Sequence, residues 1–533
     1  MPRTIRKQKI LPSIQEQRFL DPHRSVNQDY NAVYKKSAIT IGWPKGKKRL
    51  FSHTARPNTA AIVGVALGDE GKGRLVDNKI ESLLKNKKIK HVTVIRYQGG
   101  NNAGHTVEKG NIKLALHLVP SSVMYEKAAG IMDRGMVINI EDLQTEVSYI
   151  EKSVESIAGR LFLSDDAILC TDLERAEEVV NRLKDARAEG GTGRGIAPSY
   201  AHHYDRIGLH IFDIMSDNWR DRLATQYERY EKEFRAFDRD LKNIEVPDFQ
   251  ATVRNKEATK RTVGSKKIFL ERFALARSWL LKRKFVTNTF PLHRTLSLDT
   301  TAGIIFEGAQ AAGLDAWNGT RPDVTTSNTT IYGVREGTAF WRLQDISERI
   351  GVFKITYTSS VGARRMPTHV TLPKDLNDLP KNASKDEKWA AYVREEAHEY
   401  GTTTGRPRDI TFLDLAFLSY NARMAGVEVL IGTHLDIAQE NQTINVCTDY
   451  VDKKGKYIPY QPGIRYLTNV VPHYITLPGW NAANCRSATS LMQLPTTAQQ
   501  FLSFIQTRLG YPIVAATTGT KRENILEFDG YTL

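Results

Sequence analysis

Apolar residues along this chain fall in short unbroken runs, and each run ends in a polar turn rich in glycine. The first run is Ala60-Ala61-Ile62-Val63-Gly64-Val65-Ala66-Leu67, which leads directly into Gly68-Asp69-Glu70-Gly71-Lys72-Gly73-Arg74. A run this short and this apolar predicts a strand buried on both faces. A helix is predicted over about residues 73–85, and Val92-Thr93-Val94-Ile95-Arg96-Tyr97 supplies the next strand. Strand, loop, helix, strand predicts a parallel sheet. Three later runs repeat the theme. Ile304-Ile305-Phe306 precedes Glu307-Gly308-Ala309-Gln310, Val427–Ile431 precedes Gly432-Thr433-His434-Leu435-Asp436, and Pro512–Ala516 precedes Thr517-Thr518-Gly519-Thr520. Polar clusters beyond the carboxyl ends of strands are where open α/β sheets bind ligands. The expected fold is therefore α/β, with a large, mostly parallel central sheet and phosphate-binding loops at the C-terminal ends of its strands.

A different period runs through the middle of the chain. Trp219, Leu223, Tyr227, Tyr230, Phe234 and Phe237 recur at steps of three and four, with Arg222, Glu228 and Lys232 on the other faces. That is one side of an amphipathic helix and reads as core packing. Residues 215–300 are accordingly expected to form a helical insert.

Charge separates one further segment. The chain has 533 residues and a formal charge of +15, and residues 1–58 hold 13 Lys and Arg against 3 Asp and Glu. This basic N-terminal extension lacks the interleaved aromatics of a base-stacking platform, so it reads as a solvated arm, not a nucleic-acid site. Residues 59–533 are expected to form the catalytic domain. No apolar run approaches the roughly 18 residues of a membrane span, and the N-terminus lacks the apolar core of a secretory signal. Cys170, Cys447 and Cys485 stand far apart, in no metal pattern, which fits a reducing compartment such as the cytoplasm.

The candidate chemistry sits in two loops. Glycines let successive N–H groups converge on a phosphate, Lys72 adds a positive charge, and the following helix adds its N-terminus. The ordinary P-loop pattern is not met, because Ala66 and Gly73 stand where Gly and Ser or Thr belong. Carboxylates beside a phosphate are costly unless they hold a cation or move a proton, so Asp69 is a candidate for both tasks. The second loop, Gln98-Gly99-Gly100-Asn101-Asn102-Ala103-Gly104-His105-Thr106, brings His105 to the same sheet edge. There it is expected to donate a proton or hydrogen bond to phosphate oxygens near neutral pH.

These loops resemble those of adenylosuccinate synthetases, which carry GDEGKGK-type and GGxNAGHT segments. The resemblance continues in order through Gly191–Tyr200, Phe306–Gln310 with Leu314-Asp315, Asn318–Asn328, Thr403–Arg408 and Leu413-Asp414, and spans about residues 59–530. It implies a ligase that joins L-aspartate to IMP, using GTP and Mg²⁺. By resemblance, Asp69 takes the purine N1 proton and binds Mg²⁺ together with the Gly104 carbonyl. His105 assists phosphoryl transfer to purine O6, and Lys72 and Gln310 belong to the catalytic set. The donor nucleotide is assigned to Gly68, Glu70, Gly71, Lys72, Gly73 and Arg74. Gly104, His105, Thr106 and Arg408 extend that set, with His434, Asp436, Thr517 and Gly519 on the base side. Asn102, Thr192, Gln310, Leu314 and Thr325 are assigned to IMP, and Thr403, Thr404, Arg406 and Arg408 to the aspartate side. Arg206 matches an arginine that reaches a partner's IMP phosphate, which implies a homodimer.

The departures cluster. His434 replaces the lysine of a TKLD segment, and Thr517-Thr518-Gly519-Thr520 replaces STGP, so either GTP or ATP is expected as donor. Ser359–His369 departs from TRVGxGPFPTE. Bacteriophage relatives act on dGMP, but those usually carry Ser at the position of Asp69. A dGMP-directed ligase is therefore the alternative reading, and a nucleotide- or nucleic-acid-binding protein without enzyme activity is the third.

Overall fold

A computed structural model describes residues 55–110, 112–184, 191–248, 259–360, 366–401, 405–528 and 530–533. Thr403 and Thr404, residues 361–365 and the arm through residue 54 lie outside the described residues.

The centre is a ten-stranded sheet. Its strands in chain order are β1 (Arg56–Gly64), β2 (His91–Arg96), β3 (Ala128–Met132), β4 (Leu161–Ser164), β5 (Val286–Thr287), β6 (Ala302–Ala311), β7 (Ile346–Lys354), β8 (Val429–Thr433), β9 (Ile513–Thr517) and β10 (Ile525–Glu527). They lie side by side as β5-β4-β3-β2-β6-β1-β7-β8-β9-β10. Every neighbouring pair is parallel except β9 with β10. Both faces are covered: Ile62 of β1 enters one apolar cluster and its neighbours Ala61 and Val63 the other. Alternation across a doubly buried sheet is why these strands read as continuous apolar runs.

Two strand bounds differ from the sequence reading. β1 begins at Arg56, inside the span read as the arm, because the Arg56 guanidinium donates to Thr59 Oγ1 and to the Ala302 carbonyl. β6 runs on through Glu307 and Gln310 to Ala311, so its polar cluster is part of the strand and not beyond it.

Residues 215–300 hold the helices Trp219–Arg235, Lys266–Arg283 and Thr289–Leu298, the short pair Glu245–Pro247 with Lys260–Thr262, and β5 of the main sheet. Leu223, Tyr227, Tyr230 and Phe234 are buried as their spacing predicts. Phe237 is 57% exposed, because the helix ends at Arg235 and the chain turns at Asp238 with φ +54°. Among the described residues no helix is long and apolar enough to cross a membrane.

Candidate active site

Parallel pairing puts the carboxyl ends of β2, β6, β1, β7, β8 and β9 along one edge, and the chemistry-bearing residues collect there. Helix α1 (Lys72–Lys85) follows the first loop, with Gly71 at its N-cap in the left-handed region at φ +84°. The two acids of this loop part company. Glu70 turns inward and is 2% exposed. Its carboxylate accepts from the N–H of Ala66 (3.2 Å) and Gly68 (2.7 Å) and pairs with Lys72 Nζ (2.9 Å). Gly64 makes room for it, since a Cβ there would stand 2.4 Å from Glu70 Oε2. Lys72 Nζ also donates to the Gly68 carbonyl at 2.9 Å. The ammonium expected to cradle phosphate thus neutralises the loop's own acid, because two acceptors lie within reach of a buried cation. Asp69 turns outward, and its Oδ1 lies 3.1 Å from Arg408 Nη2.

Arg408 is itself held from behind. Its Nη1 lies 2.8 Å from Glu399 Oε2, and Glu399 is fully buried. That carboxylate also accepts from Lys354 Nζ, the Tyr357 hydroxyl and Ser359 Oγ. Paired cations hold Glu399 well below the usual carboxylate range in spite of its burial. The Tyr357 hydroxyl meets His434 Nδ1 at 3.0 Å. Burial and the nearby Lys354 ammonium lower the His434 imidazole to about 3, so it is neutral.

His105 opens the strand His105–Lys109 and packs on the first turn of α1, where a Cβ at Gly73 would lie 3.0 Å from its ring. Its Nε2 lies 3.1 Å from Glu307 Oε1 and 3.0 Å from Ser121 Oγ. The Ser121 hydroxyl donates to Glu307 Oε1 at 2.7 Å, so its oxygen accepts from the imidazole. This assigns the ring as the Nε2–H tautomer, with Nδ1 as an acceptor. Glu146 steadies the segment that carries Ser121 by accepting the N–H groups of His117, Leu118 and Val119. Burial lowers His105 to about 4 against the opposing pull of Glu307. His105 is therefore a neutral ring: it still has an N–H for a hydrogen bond, but must gain a proton before it can give one up. Glu307→Ala removes the one group that raises this value and frees the tautomer. It is expected to lower kcat by about 10²-fold with KM for the nucleotide retained, measured by steady-state kinetics from pH 6 to 8. Wild-type kcat in the variant sinks the assignment.

Gln310 carries the clearest mark of a ligand site. It holds φ +53°, and both its amide oxygen and nitrogen are buried without a partner among the described residues. Strained backbone and an unsatisfied buried amide each cost about 1–3 kcal/mol, and a bound polar group recovers the second. The amide lies over Gly99, whose added Cβ would be 3.3 Å from its oxygen. Leu314 stands beside Gly68, and its carbonyl accepts from Thr325 N at 2.7 Å. Asn102 Oδ1 braces the second loop through Gly100 N, while Gly104 is exposed and Thr106 half-buried. Tyr200 joins that loop to the segment of Thr192, accepting from Gly99 N (2.9 Å) and donating to the Gly135 carbonyl (2.7 Å). Thr192 and Arg206 are exposed. Arg406 is also exposed, and its carbonyl accepts from Gly401 N.

On the far side, Thr517 Oγ1 accepts from His434 N at 3.1 Å. The Asp436 carboxylate is held by Arg486 Nε at 3.1 Å. Arg74 points to the loop after β9 instead of the phosphate loop's concavity and donates to the carbonyls of Gly519, Lys521 and Asn524. Sequence reasoning missed Glu307, Ser121, Glu399, Lys354 and Arg486. Only Glu307 carried a signal, a charge directly after the apolar run Ile304–Phe306.

This arrangement has known relatives. A family model for adenylosuccinate synthetase matches residues 61–526. The adenylosuccinate synthetase of Hydrogenobaculum sp. (strain Y04AAS1) is 33% identical over 476 residues, covering 87% of this chain and 98% of that protein. The chloroplastic adenylosuccinate synthetase of Chlamydomonas reinhardtii is 32% identical over 492 residues, covering 89% and 92%. The structure of the fully ligated adenylosuccinate synthetase of Plasmodium falciparum superposes with a TM-score of 0.73 at 26% identity, covering 89% of this chain and all of that one. The chain belongs to the adenylosuccinate synthetase family.

Proposed function

We propose that the protein joins L-aspartate to IMP in two steps, driven by GTP with Mg²⁺, to give adenylosuccinate. The observation that carries this reading is Asp69 at the mouth of the first loop, backed by Arg408, at the same sheet edge as His105 and the unsatisfied amide of Gln310. A purine O6 is a poor leaving group and a phosphate is a good one. Asp69 accepts the N1 proton as O6 attacks the γ-phosphorus and GDP departs. His105 faces the phosphoryl group, and Gln310 pairs with the purine edge. The aspartate amine then adds at C6 and phosphate leaves. Arg406 and Arg408 suit the aspartate carboxylates, which guanidinium groups grip in pairs. The Asp69 carboxylate and the carbonyl of Gly104, an exposed residue, are hard oxygen donors that fit Mg²⁺, an ion that takes one or two protein ligands and fills its shell from phosphates and water. When bound, it would offset the charge that gathers on the transferring phosphoryl group.

Incubating the protein with IMP, aspartate, Mg²⁺ and GTP is expected to raise ultraviolet absorbance in the adenylosuccinate band. Parallel reactions with ATP, and with dGMP replacing IMP, read the donor and substrate. No product from IMP with either donor overturns the reading. We also propose a homodimer. Arg206 ends a helix in the left-handed region, and Tyr204, Ile207 and Phe212 around it are 72%, 41% and 47% exposed. Contiguous exposed apolar side chains mark an interface. Sedimentation at assay concentration reads this directly, and an active monomer overturns it. Three buried free cysteines suit a reducing compartment, and we place the enzyme in the cytoplasm.

A further inference from the structure

Helix α1 starts at the phosphate loop, and one side of it carries Arg74, Asp77, Asn78 and Glu81, of which Asp77 is buried. Residues 518–524, between β9 and β10, lie across that side. Arg74 donates from Nη1 to the Gly519 carbonyl and from Nη2 to the carbonyls of Lys521 and Asn524, the last at 2.8 Å. The loop returns the grip. Arg522 Nε lies 2.9 Å from Asp77 Oδ2 and its Nη2 3.0 Å from Glu81 Oε2, while Asn78 Nδ2 donates to the Arg522 carbonyl at 3.1 Å. Within the loop, Asn524 braces Lys521 N through Oδ1 at 3.1 Å and Thr518 N through its carbonyl at 2.9 Å. A phosphate reaching this guanidinium would have to displace carbonyls already in place.

We infer that Arg74 is a positioning residue and not a phosphate ligand: it ties the loop after β9 to the helix that opens at the phosphate loop, and so fixes the spacing between the subsites for the donor's base and its phosphates. This rests on the reading above, in which the segment around Asp436, Thr517 and Gly519 faces the donor base. The residue type matters. A planar guanidinium serves several carbonyls at once in a fixed fork, whereas an ammonium is a single point charge on a flexible stem. A loop held before the ligand arrives does not have to be ordered by it, and that saving appears as affinity.

A phosphate ligand and a loop tether make opposite predictions for a donor without a base. Binding of GTP and of inorganic tripolyphosphate, each with Mg²⁺ and without IMP, is measured by calorimetry for wild type, Arg74→Ala and Arg74→Lys. The tether predicts that Arg74→Ala raises the Kd for GTP by about tenfold and leaves that for tripolyphosphate unchanged. Arg74→Lys, which keeps the charge and most of the stem, falls between and guards against a folding defect. Equal losses for both ligands overturn the inference in favour of direct phosphate contact, and unchanged GTP binding overturns it outright. A wild-type protein that binds neither ligand brings down the donor-site reading, and the tether with it.

Discussion

Asp69→Asn is expected to lower kcat by about 10²- to 10⁴-fold, the range for loss of a positioned general base, with the fold unchanged. The carboxylate is placed to take a proton because it stands at the open mouth of the loop and is not buried in a pair as Glu70 is. Among the described residues its ion pair is with Arg408, and its side chain keeps 24% of its surface open. Removing the charge leaves Arg408 with its second partner, Glu399, at 2.8 Å, so no buried cation is stranded. Asparagine preserves shape and keeps an oxygen acceptor for Arg408, and removes the negative charge and with it the basicity. Steady-state kinetics with IMP, aspartate and GTP, beside a thermal melt, measures both halves of this statement. Turnover near the wild-type rate refutes the role, and a collapsed melting temperature refutes the claim that the residue is functional and not structural.

The sheet edge was legible because a parallel strand buried on both faces has to be a short apolar run, and such runs mark their own carboxyl ends. Ala60–Leu67, Val92–Tyr97 and Pro512–Ala516 all lead into the site for this reason. The division of labour within the loops was not legible. Gly68–Arg74 contains two acids and two bases in seven residues, and nothing local says that Glu70 folds inward onto Lys72 while Asp69 faces out. That depends on the space above Gly64, which only the turn of the chain creates. Partners drawn from far along the sequence were equally hidden. Glu307 meets a histidine 202 positions earlier in the chain, and Glu399 meets Lys354 at the end of β7 and Arg408 just ahead of the strand Asp409–Asp414. The neutral state of His105 follows from burial, which its glycine-rich surroundings in the sequence do not announce. Arg74 is hidden in the same way: in sequence it is a cation in a phosphate loop, and nothing local announces the three carbonyls of the loop after β9 that it meets.

Glu70→Ala, one residue on from Asp69, is expected to act on the opposite quantity. It should destabilise the fold by about 3–5 kcal/mol, the cost of removing one member of a buried ion pair, measured as the shift in urea unfolding. The side chain has 2% exposure and its partner Lys72 9%, so water does not replace what is lost. Three donors are left facing a void: the N–H groups of Ala66 and Gly68 and the Lys72 ammonium, which retains only the Gly68 carbonyl. Glu70→Gln separates the two contributions. Its amide oxygen still accepts from the backbone but carries no charge for Lys72, so it should recover part of the loss and not all of it. If Glu70→Ala unfolds with wild-type stability, the acid is not the internal counterion of this loop. Lys72 would then be free to meet the donor phosphates, as the glycine-rich sequence alone suggests. If the loss is as large as expected, the loop neutralises itself before any nucleotide arrives, and the charge of the triphosphate falls to Mg²⁺ and the backbone N–H groups that Glu70 does not use.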